Sequence, residues 1–109
     1  MAMTETYAPA YDTWQRRSSE AKQEAIANLV ELVEPGVGGT ARVIRDPVTW
    51  VHVQFDLYRS AMPDNDPRLP ALAKIEFDFV AALCAFSIGE SQRQLRAALK
   101  AVGAFNSLA

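Results

Sequence analysis

From Ala21 to Val33 apolar residues return every three or four positions. Ala21, Ala25, Leu29 and Leu32 form a stripe widened by Ile26, Val30 and Val33, while Arg16, Arg17, Glu20, Lys22, Gln23 and Glu24 lie mainly off it. This period predicts an amphipathic helix. Asp12 is suited to cap its start. Its end is expected near Glu34, because Pro35 disfavours helical geometry in the residue before it and Gly36, Gly38 and Gly39 supply a flexible exit. Met1 to Tyr11, with Pro9 and small polar neighbours, has little to bury. We therefore expect a flexible segment over 1–11 and a single compact domain over 12–109.

Residues 40–59 support two patterns at once. Val51, Val53, Phe55 and Leu57 alternate with His52, Gln54 and Asp56, the period of a strand with one wet face, in a segment rich in β-branched and aromatic residues. On that reading Arg45-Asp-Pro-Val48 is a turn that pairs residues 41–45 with the longer strand as a β-hairpin. On the other reading Asp46 is an N-cap, Pro47 takes the first helical position, and Val48, Val51, Phe55, Tyr58 and Met62 form a helical stripe. The alternation favours the hairpin, which gives an α+β fold in the order helix, β-hairpin and two C-terminal helices. An all-α helical bundle is the alternative.

Pro63-Asp-Asn-Asp-Pro67 is a loop on either reading. The next helix is expected to start around Asp66 or Pro70, with Leu72, Ile75, Phe79, Leu83 and Phe86 as its main stripe and Phe77, Val80 and Cys84 on its flank. The run from Phe77 to Phe86 is apolar on nearly every helical face, so something must cover it. Ser87 and Glu90 have the spacing of a capping box, which predicts a break and a new helix there. That last helix turns Leu95, Ala98, Leu99 and Val102 inward and Arg93, Arg96 and Lys100 outward, and Gly103 is expected to stop it.

Composition narrows the class. A chain of 109 residues that is 50% hydrophobic is expected to fold as one domain without metal or disulfide support. Its net charge of −2 gives no global pull toward nucleic acid or an anionic membrane. One cysteine, Cys84, excludes an internal disulfide and fits a reducing compartment, so the cytoplasm is the expected location. The N-terminus lacks the cationic start and apolar core of a signal peptide, and Lys74, Glu76 and Asp78 interrupt the most apolar window. No membrane association is expected.

No residue set carries an enzymatic signature. Nucleophilic catalysis would pair Cys84 with His52, the only histidine, and their spacing does not bring them together. One cysteine and one histidine fall short of a structural zinc site. Asp64 and Asp66 lack the glycine and distant glutamate of an EF-hand loop. Gly36-Val-Gly-Gly39 has neither the spacing nor the lysine of a phosphate-binding loop. The expectation is a non-enzymatic chain without metal or cofactor.

Two binding readings follow. Val80-Ala-Ala-Leu-Cys-Ala-Phe-Ser87 followed by Glu90-Ser-Gln-Arg-Gln-Leu95-Arg-Ala-Ala-Leu99 resembles the helix-turn-helix segment of bacterial transcriptional regulators. Gly89 is displaced from the usual turn position, and Ala85 stands where glycine is usual. The resemblance implies that Ser91, Gln92, Arg93, Arg96 and Lys100 face the groove and the phosphates of DNA. The favoured reading is protein binding, since the apolar helix together with Trp14, Trp50, Tyr58 and Phe105 is more apolar surface than so short a monomer hides easily. It predicts a regulatory module of the inhibitor, antiactivator or accessory class found in bacterial and phage systems. Its homodimer interface is expected at Leu72, Ile75, Phe79, Leu83 and Phe86.

Overall fold

Four helices account for every regular element among the described residues: α1 (Ala2–Val33), α2 (Pro47–Ser60), α3 (Leu69–Ser87) and α4 (Arg93–Ser107). The computed structural model describes residues 2–34, 44–87 and 92–108, with 2–16 and 87 described as backbone alone. Each helix packs on its neighbours in the order α1, α2, α3, α4 and back to α1. Asn28 of α1 bonds Gln54 of α2 while Lys22 lies over Tyr58, so these two helices run antiparallel. Contacts of Phe55 with Phe79 and of Arg59 with Glu76 set α3 antiparallel to α2. Gln92 at the head of α4 meets Val33 at the tail of α1, which closes an up-down-up-down bundle.

The expected β-hairpin is not formed. Residues 47–60 are the helix of the alternative reading, and the fold is all-α. Its start is fixed locally: Asp46 Oδ1 accepts the Thr49 N–H at 3.1 Å and Oδ2 accepts the Thr49 hydroxyl at 2.7 Å, with Pro47 in the first turn. The Asp46 carboxyl is held below its ordinary pKa mainly by that hydroxyl bond. Val51, Phe55 and Tyr58 are buried at helical spacing. By contrast Val53, which a strand would have turned inward, is 51% exposed, and Gln54, which it would have wetted, is 3% exposed. The intrinsic helix penalty of Val, Thr and Tyr is a few tenths of a kcal/mol each, whereas burying one large apolar side chain gains roughly 1.5 to 3 kcal/mol. Packing therefore decides the segment against its β propensity.

Boundaries elsewhere also differ from expectation. The backbone is helical through Asp12, which is an interior position of α1 and not its cap. Ser87 closes α3, and α4 begins at Arg93 after Gln92, whose side chain does not cap the helix. Glu90, the other half of the expected capping box, lies outside the described residues, as do the glycines at 36–39 and residues 41–43 of the expected first strand. Gly103 does not stop the last helix, which continues to Ser107. Between α2 and α3 the loop behaves as read: Asp66 accepts the Arg68 N–H at 2.9 Å, its own N–H reaches the Pro63 carbonyl, and its carbonyl accepts the Leu69 N–H to open α3.

One core joins the helices. Leu29 and Val33 of α1, Val51 and Phe55 of α2, Leu72 and Phe79 of α3, and Leu95 and Val102 of α4 are among its buried members. Phe55 and Phe79 meet edge to face at 6.0 Å, and Tyr58 meets Phe105 at 5.9 Å. The Tyr58 hydroxyl donates to Asn106 Oδ1 at 2.8 Å, and burial raises its pKa.

Candidate functional site

The stripe read as an interface divides on folding. Leu72, Phe79 and Leu83 are buried in the chain's own core, Ile75 is half-buried, and Phe86 near the end of α3 is 43% exposed. Intramolecular packing thus covers most of the apolar run. What stays uncovered is its outer side, where Phe77 is 73% exposed and Ala73, Ala81 and Cys84 are exposed with it. Stepping by four, four and three, these positions recur on one helical face.

Beside that face runs an apolar groove between α3 and α4. Its volume is about 360 Å³, and it is lined by Ala81 and Ala82 of α3 and Ala97, Ala98 and Ala101 of α4, with Asp78 and Gln94 at its rim. Alanine accounts for the groove: the helix backbones are joined by short side chains that leave the outer edge of the seam unfilled. Lys74 and Asp78, paired at 3.0 Å, stand at the edge of the same face. Leu108, 84% exposed, follows the last turn of α4.

The basic face of α4 is only partly available. Gln92 Nε2 donates to the Val33 carbonyl at 2.6 Å, and Arg96 Nε to Glu34 Oε1 at 2.9 Å, so two of the five side chains expected at nucleic acid tie α4 to the end of α1. Arg93 and Lys100 are exposed, and Ser91 lies outside the described residues. The groove between α3 and α4 is lined by one turn of α3, Asp78 to Ala82, and two turns of α4, Gln94 to Ala101.

A polar cluster bridges α2 and α3. Glu76 receives His52 Nδ1 at 2.5 Å on one oxygen and the Arg59 guanidinium on the other, and Arg59 also reaches Asp56 at 3.0 Å. The cluster orients the His52 ring and couples the two helices. Cys84 stands eight residues beyond Glu76, about 12 Å along α3. At the opposite end Asp66 binds the Arg68 guanidinium, a contact that with the Arg68 N–H holds its pKa down to about 2. Among the described residues no three His, Cys, Asp or Glu side chains group as metal ligands, and no helix is long and apolar enough to cross a membrane.

Sequence reasoning missed Phe77 as the most exposed aromatic side chain among the described residues, although a signal was present. Phe77 falls outside the stripe of Leu72, Ile75, Phe79, Leu83 and Phe86 and stands between two carboxylates, Glu76 and Asp78. Comparison with known protein families, characterised proteins and solved structures gives no match.

Proposed function

We propose that the chain is a small non-enzymatic protein-interaction module that works in the cytoplasm and docks another protein through the outer face of α3 and α4. One observation carries this reading: a phenylalanine 73% exposed beside an alanine-lined groove on the same face. Exposed aromatic side chains next to apolar grooves are the usual anchors of protein interfaces. Cys84 is the one cysteine of the sequence, so no internal disulfide can form, which supports a reducing compartment. Size and composition fit regulatory chains of the inhibitor, antiactivator or accessory class, an argument by analogy.

The test is site-directed photo-crosslinking in the expressing cell. A crosslinking phenylalanine analogue at position 77 is expected to trap a protein adduct that the same analogue at Val53, 51% exposed on α2, does not. No adduct at 77, or equal labelling from both positions, would overturn the reading.

A further inference from the structure

We propose that the partner at this face is a second copy of the chain, paired across a two-fold axis running along α3, with Phe77 of each copy seated in the alanine-lined groove of the other. The inference rests on the docking reading above and commits it to one occupant. At 100° per residue, Phe77 projects about 40° to one side of Ala81, and Asp78 at the groove rim about 60° to the other. Knob and hole therefore lie on opposite sides of a single ridge. A two-fold axis along that ridge exchanges its sides, so each ring meets the other copy's groove and the contact closes on itself as an isologous pair. The groove, at about 360 Å³, has room for the ring, since a cavity of about 150 Å³ already accepts benzene.

Charge selects the same axis. On the α2 side of the ridge two carboxylates, Asp56 and Glu76, stand with one guanidinium, Arg59, which leaves one negative charge. On the α4 side Lys100 is exposed, and the Asp78 carboxylate at the groove rim is offset by Lys74. The axis along α3 sets the acidic side of one copy against the basic side of the other, whereas a perpendicular axis would set like against like. Helices of 19 and 15 residues are about 28 and 22 Å long and about 10 Å across, so their shared face projects roughly 450 Å². Surface relief brings its accessible area toward the ~600 Å² per partner at the lower end of specific interfaces, which points to a dimer of micromolar strength.

Sedimentation equilibrium of the full chain, from low to high micromolar concentration, tests this. The wild type is expected to pass from monomer to dimer. Phe77→Ser, which empties the knob, and Ala101→Leu, which fills the hole, should each weaken the dimer by about tenfold or more. Both positions are exposed, so the helical circular dichroism should be unchanged. Lys100→Asp should also weaken it, and adding Asp56→Lys should restore it. A chain monomeric at the highest concentration overturns the proposal, as does a dimer indifferent to Phe77→Ser and Ala101→Leu, or a charge exchange that restores nothing. A monomer whose position-77 crosslinker traps a different protein overturns the second copy while leaving the docking reading standing.

Discussion

The α1–α2 seam and the α3–α4 seam both join antiparallel helices, and they are finished in different ways. Across the first, the Trp50 indole reaches the Asn28 carbonyl at 3.3 Å, the Asn28 amide donates to Gln54 at 2.9 Å, and the Lys22 ammonium lies 5.6 Å from the centre of the Tyr58 ring. Long polar side chains fill the margins along this stretch, and near the end of α2 a smaller cavity of about 240 Å³ lies among Arg17, Ser18, Ala21, Ser60 and Ala61. Across the second, five alanines line an open groove with an exposed phenylalanine nearby. Where polar side chains of the chain itself meet across a seam, little apolar surface is left in water. One closed by small side chains leaves apolar surface in water, and that surface can be covered only from outside.

The largest way to break this contrast is to remove what both halves share. Phe79→Ala takes away a wholly buried ring that meets Phe55 edge to face across the α2–α3 contact, and it should cost about 3 to 5 kcal/mol. Chemical denaturation would show a large drop in midpoint; an unchanged midpoint would contradict the shared core. Next comes the same substitution in the two seams. Ala25→Leu in the closed seam, where Ala25 is wholly buried, should destabilise by about 1 to 3 kcal/mol through overpacking. Ala101→Leu in the open seam should stay within about 0.5 kcal/mol of wild type. Equal losses at the two sites would erase the distinction.

A smaller effect of opposite sign is expected further along α4. A Cβ added at Gly103 meets nothing within 4 Å, and the residue sits inside a helix, so Gly103→Ala should stabilise by about 0.5 to 1 kcal/mol. Thermal melting would register it. The finest test concerns the junction of the halves, where Asp66 is held by Arg68. Its carboxyl falls from an ordinary 3.8 to about 2 in the folded chain, so the unfolded chain binds the proton more readily. The resulting stability is present above about pH 4 and disappears as pH falls toward 2. Asp66→Asn should flatten that part of the stability profile, an effect reduced by salt because the ion pair is partly solvated.

The two halves also differed in how openly the sequence declared them. The stripe of α1 through Ala25, Leu29 and Val33 and that of α4 through Leu95, Ala98 and Val102 were legible, because one face of each is apolar and the other charged. The second helix was not, because Val51 and Phe55 satisfy period two and period four alike. What separated the readings was the Asp46–Pro47 start signal, which outweighs β propensity once tertiary burial is added. In α3 the stripe through Leu72, Phe79 and Leu83 marked the inward side, but apolar residues on most other faces hid how far Phe77 turns to solvent. The groove was invisible for a different reason. It is a space between two helices, and only their relative placement creates it.

In kinetic terms, the cyclic order of the helices has a consequence for how the chain finds its fold. Each helix packs on the one before it, and one contact, α1 with α4, joins the two ends of the sequence. Bundles dominated by such local contacts fold in microseconds to milliseconds. The last event to expect is the closing of that ring, when Gln92 and Arg96 reach the end of α1 at Val33 and Glu34. Weakening those two bonds should then speed unfolding far more than it slows folding.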